Sequence, residues 1–132
     1  MSYAGSSDLQ AAIWSVLEGA LSVPVHDAPP PGPLPEMWVS VGAEEGRDAS
    51  DATGPICDHR LRIEVRGETA GFAALKTLAA DVSDALGGPP PALPEGRIVW
   101  VRFRRARTAS SARGRAVRMD WDVRVEGPAW GS

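Results

Sequence analysis

Residues 115–126, RAVRMDWDVRVE, constrain this chain more than any other stretch. Val117, Met119, Trp121, Val123 and Val125 alternate with Arg118, Asp120, Asp122, Arg124 and Glu126. A period of two sends every apolar side chain to one pleat face and every charged one to the other. Such a strand has one dry face and one face that is wet or covered by a partner. Cys57–Arg66 repeats the design, with His59, Leu61, Ile63 and Val65 on one side and Arg60, Arg62, Glu64 and Arg66 on the other. The pattern predicts an antiparallel sheet in a small α+β domain.

Helical spacing occurs twice. Leu9, Ile13, Val16, Leu17 and Ala20 recur at three and four residues and predict a helix over 8–20, opened by a Ser7-x-x-Gln10 capping box. Phe72, Leu75, Ala79, Val82 and Leu86 predict a second over 69–86, stopped by Gly87 and Gly88. MWVSVG (37–42), RIVWVRFRR (97–105) and 115–126 read as strands, and VPVHD (23–27) allows a short extra one. AEEGRDASDATG (43–54) reads as a long mobile loop and TASSARG (108–114) as a polar loop. The order is α-β-β-α-β-β. Proline-rich connectors precede each strand pair, APPPGPLPE at 28–36 and PPPALPEG at 89–96. Their likeness has two readings, an old duplication or two independent needs for stiff spacers. The ends, 1–6 and 127–132, read as loose tails, although Trp130 could dock.

The length of 132 residues fits one domain, 1–132, with a real core. No apolar run approaches the roughly 18 residues of a membrane span, and the first residues lack a signal-peptide pattern. Cys57 is the single cysteine, which excludes an intrachain disulfide and favours a cytoplasmic origin.

No catalytic pattern is present. There is no nucleophile elbow, phosphate-binding glycine loop or metal-ligand spacing, and the two histidines stand apart. His59, on an apolar strand face, reads as a core histidine before a base or ligand. Asp120 and Asp122 are flanked by Arg118 and Arg124, which reads as an ion lattice before an acid pair. The chain reads as no enzyme, with no metal and no cofactor.

Charge is distributed unevenly. Residues 1–54 hold eight acids and one base, whereas 97–118 hold eight arginines and no acid. Arginine outnumbers lysine thirteen to one. A GC-rich genome would give that ratio, and so would a need for fixed ion pairs at interfaces. An acidic stretch, Glu36–Asp51, and a basic stretch, 97–118, could meet head to tail between copies. The candidate contact residues are Glu44, Glu45, Asp48 and Asp51 against Arg102, Arg104, Arg105, Arg107, Arg113 and Arg115. Phosphates of DNA would satisfy the same arginine forks, so a small nucleic-acid-binding module using hairpin 97–118 stays open.

Taken together, the first helix, the short strand ending in Asp27, the connector, Pro35 with Trp38, Val39, Val41 and Gly42, the strand opened by His59, the alanine-rich helix Gly71–Leu86 and the closing hairpin resemble a known family. It is the DUF3168 family of phage-type tail proteins, which includes tail terminator, or tail completion, proteins of long-tailed phages and gene transfer agents. The resemblance covers about 7–126. Tryptophan replaces the usual tyrosine or phenylalanine, and the last loop lacks the usual glycine-aspartate turn. It implies helices on one face of a mostly antiparallel sheet. It also implies a homo-oligomeric ring, usually hexameric, capping the head-proximal end of the tail tube. The implied partners are further copies of the chain, the tube protein, a head–tail connector and DNA passing through the lumen without sequence specificity. Assembly would take place in the bacterial cytoplasm, with no cofactor and no membrane. Another head–tail adaptor of similar size is the alternative within the same junction.

Overall fold

The computed structural model describes residues 5–26, 35–50, 54–112 and 114–127; the side chains of 5–7, 43 and 44 are outside that description. Two helices, α1 (Gly5–Ala20) and α2 (Phe72–Leu86), pack on one face of a five-stranded sheet. The strands are β1 (Val25–His26), β2 (Trp38–Asp48), β3 (Ile56–Gly67), β4 (Arg97–Ser111) and β5 (Gly114–Glu126), in spatial order β1-β2-β3-β5-β4. Only β1 and β2 run parallel; the other three pairings are antiparallel. The expected α+β class is the observed one, and the short extra strand exists as β1.

The alternation decides the layering. Leu61 faces Trp121, Ile63 faces Met119 and His59 faces Val123 across the β3–β5 ladder. All six are buried, as are Leu9, Ile13 and Leu17 of α1 and Leu75, Val82 and Leu86 of α2. These side chains form one continuous core between sheet and helices. α1 lies over β2 and β1, and α2 over β5 and β3, reaching β4 only slightly. Among the described residues no helix is long and apolar enough to cross a membrane.

Four expectations are corrected. The polar stretch 43–54 is not one loop: β2 continues to Asp48, with a bulge between Ala43 and Glu45, and pairs with β3 down to Cys57. Nor is 108–114 a loop, because β4 runs to Ser111, which pairs with Gly114 of β5. In both cases backbone hydrogen bonding extends the strand, which does not require apolar side chains. The polar composition of Thr108–Ser111 records the absence of a covering helix, not of a strand. The α2 helix starts at Phe72 rather than 69, with Gly71 at its N-cap. Ser7 lies inside α1, which begins at Gly5, and the Gln10 amide reaches out of the helix to donate to the Val41 carbonyl at 2.9 Å. That bond ties α1 to β2.

At the end of α2, the Gly87 N–H donates to Ser83 and Asp84 carbonyls with φ in the ordinary right-handed region. The stop therefore owes nothing to a left-handed glycine; Pro89–Pro91 directly beyond cannot supply further N–H donors. Gly114 does need its freedom. Its φ is +119°, and a Cβ there would collide with the Gly67 carbonyl oxygen. Asp27, the connector to residue 34, Asp51, Arg113 and Trp130 fall outside the described residues.

Trp121 is 3% exposed, sits edge-on to Phe103 and lies in the same cluster as the α2 stripe. Trp121→Ala should cost about 3–5 kcal/mol, as for other buried aromatics. Urea denaturation measures this, and a parent-like midpoint would refute the packing role.

Candidate subunit-contact surface

The face of the sheet away from the helices carries the charge. Across the β3–β5 ladder, Asp58 faces Arg124, Arg60 faces Asp122, Arg62 faces Asp120 and Glu64 faces Arg118. Every one of these four cross-strand pairs joins opposite signs, the arrangement that stabilises a sheet face. Arg124 holds Asp58 bidentately, Nε to Oδ1 at 2.7 Å and Nη2 to Oδ2 at 2.8 Å. Asp120 is 5% exposed and accepts from Arg62 at 3.3 Å and Arg105 at 2.8 Å. Asp122 is likewise shared, by Arg60 and Arg104, each at 3.4 Å. Glu64 sits between Arg66 at 3.2 Å and Arg118 at 3.8 Å. Three carboxylates thus each serve two guanidinium groups. The face is a lattice with arginine in excess.

Aromatic rings take up part of that excess. The Arg102 guanidinium lies 4.1 Å over the Trp100 ring, and Arg124 lies 5.2 Å from the same ring. Arg66 covers Trp38 at 5.4 Å on the same face, whereas Arg115, on the helix side at the start of β5, covers Phe72 at 5.4 Å. Arg115 also donates to the Ala70 carbonyl, at 3.4 Å. At the rim, Arg97 pairs with Glu126 at 2.9 Å.

The candidate contact residues separate into two groups. Arg102, Arg104, Arg105 and Arg107 are exposed on β4, a sheet edge with no strand beyond it. Glu45 and Asp48 are exposed on β2, two strands away on the other side of β3 and β5. Asp48 accepts from the Ser50 N–H at 3.0 Å and hydroxyl at 2.6 Å, which holds its carboxyl below the usual range. Within one copy the two groups approach at one place, a cleft lined by Glu45 and Arg104 together with Arg47, Asp58, Arg60 and Trp100. Glu44 belongs to β2 without a described side chain, and Asp51 and Arg113 lie outside the description. Sequence reasoning anticipated the lattice around Asp120 and Asp122. It missed that Arg104 and Arg105 pair with those same aspartates, because hairpin register places Arg105 opposite Asp120 only after the bulge at Phe103–Arg105.

His59 and Cys57 lie on the opposite, helix-covered face and are both buried. Burial holds the His59 imidazole below its usual range, against the opposing pull of Asp58. Burial likewise raises the Cys57 thiol. The Arg124 hydrogen bond holds Asp58 below the usual carboxylate range. For Asp120, burial pushes upward, but Arg105 and Arg62 outweigh it and the net shift is downward. Among the described residues no group of three or more His, Cys, Asp or Glu is placed to hold a metal ion.

Two predictions follow from these environments. Asp120→Ala should destabilise the fold by about 1–3 kcal/mol, since it strips two arginines of a buried acceptor; unchanged denaturant stability would refute it. All the shifts of His59, Asp58 and Asp120 are downward, so the unfolded chain binds more protons and acid weakens the fold. The His59 contribution is complete above its ordinary pKa of 6.5 and is lost as pH falls below it. Melting temperature should therefore fall as pH drops below 6.5 in the parent. His59→Leu should flatten that slope; an equal slope in both proteins would contradict the assignment.

Comparison with known proteins identifies the architecture. No curated protein matches the chain. A chain in the virion of a native gene transfer agent particle is 41% identical, with a TM-score of 0.84, over 96% of this chain and 100% of that one. The family described as Tail completion protein gp17 matches residues 8–126, from the start of the α1 stripe to the last residue of β5. By that match, which spans both helices and all five strands, this chain belongs to the tail completion protein gp17 family and is a structural component of a phage-like tail.

Proposed function

We propose that this protein forms a hexameric ring at the head-proximal end of the tail tube, ends tube polymerisation there and offers its other side to the head connector. The observation that carries this reading is the family match across 8–126, joined to 41% identity with a gene transfer agent particle chain. The distribution of charge supports a ring in particular. β4 carries an arginine edge and β2 carries acids on the other side of the sheet order, an arrangement a head-to-tail contact could use, although Glu45 also shares a cleft with Arg104 of its own copy. In this reading Arg102, Arg104, Arg105 and Arg107 of one copy face Glu45 and Asp48 of the next. Exposed ion pairs are individually worth about 0–1 kcal/mol, so the contact depends on several together. DNA would pass through the lumen without sequence-specific contacts, and the particle would be assembled in the bacterial cytoplasm.

Particles produced without this protein should contain tails of uncontrolled length that are not joined to heads, visible by negative-stain microscopy. Tails of normal length, attached to heads, would overturn the proposal. Reversal of Glu45 and Asp48 to lysine should weaken assembly, and a matching arginine-to-glutamate change on β4 should partly restore it. Unchanged assembly after the acid reversal, with DNA transfer lost in the arginine variants, would assign the arginines to the lumen.

A further inference from the structure

The helix layer does not cover the sheet. Packed helices are about 8–10 Å apart, whereas neighbouring strands are about 4.8 Å apart, so two helices cover roughly four strands. Here the fifth strand is covered at its start, where Ile98 is buried, and left bare beyond Val101. On the helix side of β4, Val101 is partly covered, but Phe103, Ala106 and Thr108 are exposed. Phe103 is 52% exposed, the one large hydrophobic so exposed among the described residues. Ala106 and Thr108 form one wall of a groove, Lys76 and Ala79 of α2 the other, with Arg107 at its rim and buried Val117 beneath. It is the place a third helix would occupy.

We infer that α1 of a neighbouring copy occupies this groove and completes the helix layer across the subunit seam; the inference rests on the ring reading above. The core of α1 uses Leu9, Ile13 and Leu17, and the opposite side presents Asp8, Ala11, Ser15 and Glu18, all exposed. Ala11 and Ser15 are small enough to let a helix approach the Phe103 ring closely. Asp8 and Glu18 are ten residues apart, about 15 Å along the helix. They bracket that small surface with negative charge, against the cations Lys76 and Arg107 at the groove. Glu18 is already held in place by the Trp14 indole N–H at 2.8 Å. The placement is also consistent with the rest of the seam. α1 lies over β2 and β1, on the flank that carries Glu45 and Asp48, while the groove lies on the arginine flank. The contact is therefore heterologous, one flank meeting a different flank, and can close into a ring.

Sedimentation across a concentration series tests this with the full chain, comparing the parent with Phe103→Asp and Ser15→Arg. Ser15→Arg falls on an exposed side chain, so its melting curve should match the parent; Phe103→Asp also gives up the ring contact with Trp121, so its association is compared at a temperature where its melting curve shows it folded. Each variant should lower self-association about tenfold or more, as expected when an interface anchor is lost. A mixture of Ser15→Cys and Thr108→Cys proteins should form a disulfide-linked heterodimer under mild oxidation, while each alone should not; the native Cys57 is buried. A parent that assembles, with variants that assemble equally and no linked heterodimer, would overturn the α1–groove contact and leave the ring reading intact. Variants that form rings but no longer join tail tubes would assign the groove to the tube protein instead. A parent that neither associates in solution nor forms rings on tails would overturn both.

Discussion

The pairing of β3 with β5 is the constraint on which the rest of the molecule depends. One register satisfies two demands together. It puts Leu61, Ile63, Trp121 and Met119 beneath the helices and matches four opposite-charge pairs on the other face. A slip by one residue would turn every apolar side chain toward water. A slip by two would keep the apolar face inward but set Asp58 against Glu126, Arg60 against Arg124 and Glu64 against Asp120, so three of the four pairs would become repulsive. The hydrophobic pattern chooses the face, and the charges add discrimination within it.

The remaining elements build outward from that pair. β2 joins the free edge of β3 and is tied to α1 through the Gln10 amide. β4 joins the free edge of β5, where Arg104 and Arg105 share the aspartates already engaged by β3. The carboxylates of Asp120 and Asp122 therefore link three strands. This explains why so many arginines can line a short hairpin without mutual repulsion dominating. The excess remains on β4, at the sheet edge. Bulges between Ile98 and Trp100 and between Phe103 and Arg105 interrupt that edge, and with its arginines they discourage indiscriminate strand pairing. A surface so arranged favours a specific oppositely charged neighbour over uncontrolled sheet extension.

The burial of His59 and the exposure of Phe103 make a related contrast. A titratable ring sits in the core, and a large apolar ring sits outside it. Burial holds the first below its ordinary pKa, which couples it to the predicted loss of stability in acid. The second shares its strand face with Ala106 and Thr108, which line the groove that the proposed assembly contact would fill.

Much of this was legible in the chain itself. Residues 115–126 and 57–66 announce two-sided strands, and the stripes from Leu9 to Leu17 and from Leu75 to Leu86 announce two helices. Those features rest on local periodicity, which is a property of sequence alone. The family resemblance was legible for the same reason, being carried by the order of these elements. What the sequence could not supply was pairing. The strand character of Ala43–Asp48 and Thr108–Ser111 comes from partners far along the chain, and their polar side chains gave no local sign of it. The sharing of Asp120 between Arg62 and Arg105, residues 43 positions apart, depends on register across two ladders. So does the bare stretch of the β4 inner face from Phe103 to Thr108, which exists because two helices are too narrow for five strands. Periodicity determined which face each side chain takes; only the tertiary fold decided which side chains meet and which remain uncovered, because both depend on hydrogen-bond register and layer width rather than on neighbours in sequence.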